Sequence, residues 1–142
     1  MTLKDKKILV VDDEDYVRKM IQLKLEEDGF HVDTAHDGAT CLSKVKSFQP
    51  DLILMDVMLE TFSGLDTVKI LKQDPETKSI PVLVLTGRSF EEEYKEAMKV
   101  GANGFITKPI LPNRLIQQIK QYLSHSDTRR NEPRTSNEGE ES

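Results

Sequence analysis

Four apolar runs in this chain each end on a side chain that can handle charge. Asp51-Leu52-Ile53-Leu54-Met55-Asp56 ends on a carboxylate and Ile8-Leu9-Val10-Val11-Asp12-Asp13 on two adjacent ones, while Val82-Leu83-Val84-Leu85-Thr86 ends on a hydroxyl and Gly104-Phe105-Ile106-Thr107-Lys108 on an ammonium just before Pro109. Carboxylates brought close together oppose each other's ionisation unless a cation shares the site. A hard divalent ion resolves this, because Mg2+ prefers oxygen ligands, keeps several waters and commonly takes one or two carboxylates plus phosphate oxygens. Asp12, Asp13 and Asp56 therefore read as an open Mg2+ cage facing a phosphoryl group, with Lys108 supplying positive charge from the opposite side and the Thr86 hydroxyl able to donate to a phosphoryl oxygen. A carboxylate in that position can itself be the nucleophile and form an acyl phosphate, its charge neutralised by metal and lysine. Asp56 is the best placed, a single acid closing the central run; Asp12 and Asp13 suit metal ligation and water holding. Taken singly, an Asp after a strand is usually a helix cap or turn former and a single Lys is usually solvated. Four run ends with the same chemistry argue against that plain reading.

These side chains meet only if the runs are neighbouring strands of one sheet. Apolar runs of this length, bounded by turn signals, fit parallel strands covered on both faces, and ligands gather outside the carboxyl ends of such strands. Between the runs lie helical patterns. Val17, Met20, Ile21 and Leu25 mark one stripe, stopped by Gly29. Phe30 to Ala35 alternates only partly, as an edge strand does. Ala39, Leu42 and Val45 support a second helix that Gln49-Pro50 ends. After a loop from Val57 to Ser63, Gly64 opens a helix carrying Leu65, Val68 and Leu71; Ser89 caps another, closed by Gly101; and Pro112 starts the last, with Leu115, Ile119 and Leu123 on one side. Strict strand–helix alternation predicts an α/β doubly wound parallel sheet of five strands with five helices and right-handed crossovers.

The chain has 142 residues, enough for one domain with a single core. Its net charge of −5 and pI near 5.3 argue against the basic footprint of a nucleic-acid binder, so no direct nucleic-acid contact is expected. Cys41 is alone, which excludes an internal disulfide, and the N-terminal stretch is too polar and its apolar run too short for a signal peptide or membrane span. A cytoplasmic location and no membrane contact follow as expectations. From Asp127 onward there is nothing to bury, so residues 1–125 are expected to form the domain and 126–142 a disordered polar tail.

Val10-Val11-Asp12-Asp13-Glu14, Met55-Asp56, Leu85-Thr86-Gly87 and Gly101-Ala102-Asn103-Gly104-Phe105-Ile106-Thr107-Lys108-Pro109 together resemble the CheY-like receiver domain of two-component response regulators. The likeness covers about residues 7 to 124 and extends to Gly64, eight residues after Asp56. It implies a flavodoxin-like strand order 2-1-3-4-5 and phosphorylation of Asp56 by a histidine kinase or histidine phosphotransfer protein. It also implies Mg2+ held by Asp13, Asp56 and the backbone carbonyl of Met58, with Asp12 acting through water. Lys108 contacts the phosphoryl group, and the Lys108–Pro109 bond is cis. Thr86 and Phe105 act as switch residues, and the readout surface for a downstream protein comprises the helix from Ser89 to Val100, the strand through Phe105 and the helix from Pro112 to Leu123. Such a protein is not an enzyme beyond its own phosphorylation and dephosphorylation, and with no output domain in view it is expected to be of the stand-alone type.

The departures from that pattern are informative. Glu60 stands where the loop often has Pro, which predicts a more mobile loop. Met58 replaces a polar side chain that can hold the hydrolytic water, and Arg88 puts a cation within reach of the phosphoryl group, so slow self-dephosphorylation is expected. Three competing readings are weaker. A haloacid-dehalogenase-type phosphatase wants a second Asp at position 58, a flavodoxin-like cofactor binder wants a phosphate loop after the first strand, and a phosphorylation-independent interaction module has no need of an intact set of acids, hydroxyl and lysine.

Overall fold

The computed structural model describes residues 5–57, 64–87 and 90–131. Strands β1 (Lys7–Val11), β2 (His31–Ala35), β3 (Leu52–Asp56), β4 (Val82–Thr86) and β5 (Gly104–Thr107) alternate with helices α1 (Asp15–Glu27), α2 (Gly38–Phe48), α3 (Gly64–Gln73), α4 (Phe90–Lys99) and α5 (Pro112–Asn131). The sheet is parallel throughout in the order β2-β1-β3-β4-β5, the doubly wound arrangement expected from the alternation. Every residue of β3 and β4 is buried, as continuous apolar runs covered on both faces must be.

Two cores result, one per face. Leu9, Val11, Ile53, Met55 and Val84 pack beneath α2, α3 and α4 through Cys41, Val45, Val68, Leu71 and Ala97. Ile8, Val10, Leu52, Leu54, Leu83 and Leu85 pack on the other face against Ile21 and Leu25 of α1 and Leu115, Ile119 and Leu123 of α5. Each such side chain contributes about 1.5–3 kcal/mol by leaving water, so the sheet is anchored from both sides and its carboxyl edge is held as a rigid rim.

The connections follow local chemistry. Asp37 caps α2, its Oδ1 accepting the Thr40 N–H at 2.8 Å. Gly29 (φ 99°) and Gly101 (φ 104°) end α1 and α4 in the left-handed region open to glycine. Below α3, the Lys72 ammonium donates to the carbonyls of Lys78 (3.0 Å) and Ile80 (2.8 Å) and to Asn103 Oδ1 (2.8 Å), tying α3 to the entries of β4 and β5. The expected cap Ser89 lies outside the described residues. Helix α5 continues to Asn131, through residues 127–131 that composition assigned to the tail; residues 132–142 are not among those described.

Candidate functional site

The site is built where β1, β3, β4 and β5 end. Because β3 pairs with β1 on one side and β4 on the other, Asp56 falls between Asp12-Asp13 and Thr86, and β5 beside β4 carries Lys108 to the same rim. One carboxylate oxygen from each of Asp12, Asp13 and Asp56 lies within 4.8 Å of the others. Lys108 Nζ stands 3.1 Å from Asp56 Oδ2, and the Lys108–Pro109 peptide bond is cis, as expected.

Asp12 is fully buried, at 0% exposure. Its Oδ1 accepts the Glu14 N–H at 2.9 Å, while Oδ2 has no hydrogen-bond partner among the described residues. Burial pushes the Asp12 carboxyl up to about 6; the Asp56 charge adds to the rise, and the Glu14 amide and Lys108 act against it. Three close acids and an unpartnered buried oxygen fit a hard divalent cation, which would remove the repulsion and supply the missing partner. The donor set is all oxygen, so the residues suit Mg2+ better than a softer transition metal.

Thr86 is buried at 0% exposure, and its Oγ1 also has no partner among the described residues. It lies on the same face of the sheet as Phe105, since Thr86 pairs with Thr107 and Val84 with Phe105. Phe105 is partly buried against the α2–α3–α4 core and meets Tyr94 of α4 edge-on, with ring centroids 4.9 Å apart and planes at 79°.

The structure thus brings together Asp12, Asp13, Asp56 and Lys108, with Thr86 at the same rim and Phe105 one layer below. Met58, Arg88 and Glu60, named for metal ligation, kinetic tuning and loop mobility, lie outside the described residues. Two contacts went unread in the sequence. Arg18 Nη1 donates to the Asp12 carbonyl at 2.7 Å; the available signal was a cation in the first turn of α1, the unfavourable end of the helix dipole. Gly64 approaches the Asp56 carbonyl so closely that a Cβ there would sit 2.1 Å from the oxygen. That approach explains why a glycine, and not just any helix start, stands at this position.

A five-stranded parallel sheet in this order, covered by five helices, is the CheY-like variety of the flavodoxin-type α/β fold. The chain belongs to the response regulator receiver domain family, whose model matches residues 8–120. Among curated relatives, the phosphate regulon transcriptional regulatory protein PhoB of Klebsiella pneumoniae is 41% identical over 118 residues, 83% of this chain and 52% of that protein. The alkaline phosphatase synthesis transcriptional regulatory protein PhoP of Bacillus subtilis is 37% identical over 123 residues, 87% of this chain and 50% of that one. The chain therefore spans about half the length of these relatives. Among solved structures, the chemotaxis protein CheY4 of Vibrio cholerae superposes with a TM-score of 0.79 at 32% identity, covering 82% of this chain and 98% of that one. No helix among the described residues is long and apolar enough to cross a membrane.

Proposed function

We propose that this receiver accepts a phosphoryl group on Asp56 from a phosphohistidine of a histidine kinase or phosphotransfer protein and thereby switches a protein-binding surface. The observation that carries the reading is the pairing of a nearly buried Asp56, 2% exposed, with Lys108 inside a group of three carboxylates at the sheet's carboxyl edge. In the transfer, an Asp56 carboxylate oxygen attacks phosphorus, the P–O bond forms as the P–N bond breaks, and the imidazole departs with the bonding pair. Lys108 holds the Asp56 oxygen that does not attack and then meets a phosphoryl oxygen. Asp12 and Asp13, with Asp56, would hold Mg2+, which when bound supplies charge neutralisation for the phosphoryl oxygens. The chain acts only on its own carboxylate and so is not an enzyme in the ordinary sense.

Phosphorylation would place new acceptor oxygens beside the unpartnered Thr86 Oγ1. Thr86 drawn toward them vacates space above Phe105, and inward rotation of that ring removes it from Tyr94. The face formed by α4, β5 and α5 then presents a different surface to a downstream protein. Slow loss of the phosphate is proposed from the residue types at positions 58 and 88, an apolar Met58 that cannot orient water and a cationic Arg88; Met58→Asn is expected to speed it. A cytoplasmic location is proposed with these partners.

The experiment is incubation with acetyl phosphate and Mg2+ followed by intact mass. One phosphoryl group is expected on the wild type and none on Asp56→Asn. An unshifted wild type, or an equal shift in both, defeats the proposal.

A further inference from the structure

We propose that Arg18 is the positioning residue of the Asp12–Asp13 turn, fixing the direction of these carboxylates toward the cation through the backbone and not through its own charge. This rests on the reading of the three acids as the Mg2+ group. Arg18 lies in the first turn of α1, where the helix dipole disfavours a cation. Its side chain leans toward the helix N-terminus, as helical side chains do. Nη1 donates to the Asp12 carbonyl at 2.7 Å, and Nη2 pairs with the Asp15 carboxylate. The Arg18 side chain is 19% exposed, while that of Asp15 is 90% exposed.

Helix α1 needs such a fastener, because its cap residue, Glu14, makes no side-chain capping bond. Asp12 is instead held twice: by Arg18 at its carbonyl and by the Glu14 N–H at Oδ1. The atom left over is Oδ2, which has no partner among the described residues. Two anchors on one residue fix both the peptide leading into Asp13 and the rotation of the Asp12 carboxylate. A guanidinium is suited to this, because its planar fork serves a carbonyl and a carboxylate at once and a lysine ammonium does not reproduce that geometry.

The sign of the effect separates positioning from charge. A cation beside a divalent-ion site repels the ion, so if Arg18 acted only by charge its removal would tighten Mg2+ binding. If it positions the ligands, removal weakens binding even though a positive charge has gone. The test titrates the full chain with Mg2+ by calorimetry for wild type, Arg18→Met and Arg18→Lys, with amide hydrogen exchange on the metal-free proteins. Arg18→Met is expected to weaken Mg2+ affinity on the order of tenfold, the usual size for a residue that orients ligands. It is also expected to speed exchange at the Glu14 amide while Ile21 and Leu25, deeper in α1, keep their protection. Arg18→Lys keeps the charge without the fork and is expected to fall between the two, which carries the test if the Met variant does not fold. Unchanged or tighter Mg2+ binding in either variant, or unchanged Glu14 exchange in Arg18→Met, overturns the proposal. A wild type that binds Mg2+ yet takes no phosphoryl group defeats the proposed function alone, and an unaffected Arg18→Met that is phosphorylated normally defeats only the positioning role.

Discussion

Lys108 Nζ sits 3.1 Å from Asp56 Oδ2 across 52 residues of sequence, which brings a positive charge into contact with Asp56 at the acidic rim. The Asp56 side chain is 3% exposed and that of Lys108 29%, so the pair is far less screened than a surface ion pair. Removing the lysine leaves three close carboxylates without this counter-charge. Lys108→Ala is therefore expected to lower stability at neutral pH by about 2 kcal/mol in metal-free buffer, a discounted figure for a partly open pair. The loss should shrink when saturating Mg2+ supplies the charge instead. Urea melts of both proteins with EDTA and with Mg2+ check this; a cost that is the same in both buffers contradicts it.

Gly64 and Gly87 flank the same rim with opposite tolerances. At Gly64 an added Cβ would meet the Asp56 carbonyl oxygen at 2.1 Å and its carbon at 3.0 Å, both backbone atoms of the central strand. At Gly87 nothing among the described residues lies within 4 Å of a built Cβ. Gly64→Ala must push the start of α3 off β3 and is expected to cost about 3 kcal/mol, within the range for overpacking a core. Gly87→Ala should stay within about 0.5 kcal/mol of wild type. Denaturant midpoints of the two variants side by side decide it, and similar costs at both positions would count against this account of Gly64.

Much of this was legible in the sequence because parallel strands announce themselves. Leu52 to Asp56 and Val82 to Thr86 are buried along their whole length, so their apolar runs carry no alternation to misread, and the chemistry sits at run ends. Gly29 and Gly101 marked helix stops for the same local reason. What escaped is contact that the apolar pattern does not encode. Arg18 folds back onto the Asp12 carbonyl only six residues earlier, signalled by nothing but a cation in the first turn of α1, whereas Lys72 gathers three acceptors from two later segments and so depends on where the chain returns. The end of α5 was also hidden: helical hydrogen bonds are satisfied within the helix, so it can run to Asn131 through residues with no apolar face to signal it.

Cys41 offers a clean probe of the α2 interface. It is the chain's only cysteine, fully buried on the inner face of α2, and burial pushes its thiol up to about 12, with Asp37 adding to the rise. The reactive species is the thiolate, so the native protein is expected to be inert to a disulfide reagent at pH 8 and to release one equivalent of chromophore once unfolded in urea. Because the folded value lies above the ordinary 9.0, the neutral thiol's contribution to stability is complete below pH 9 and is lost as pH rises toward 12. Rapid labelling of the folded protein would show that α2 opens or packs otherwise.

Asp12 gives the pH dependence of the site itself. Its carboxyl is raised from 3.8 to about 6, by burial first, with the Asp56 charge adding to it. Between those values the native state binds more protons than the unfolded state, so this group's contribution to stability is complete below pH 4 and is lost as pH rises through 6. Above that, the metal-free protein carries an ionised carboxylate that its surroundings disfavour, worth about 3 kcal/mol for a shift of roughly two units. Asp12→Asn keeps an oxygen to accept the Glu14 N–H and removes only the charge. It is therefore expected to raise stability at pH 7.5 in EDTA by on the order of 1–2 kcal/mol, less than the full figure because Lys108 loses an attractive partner. The gain should fade by pH 4.5, where the wild-type carboxyl is already protonated. With Mg2+ the order should reverse, since the variant has given up a charged oxygen facing the ion. Urea midpoints at the two pH values, with EDTA and with Mg2+, measure all three differences, and a destabilised Asp12→Asn at pH 7.5 without metal would show that the acids do not strain the empty rim.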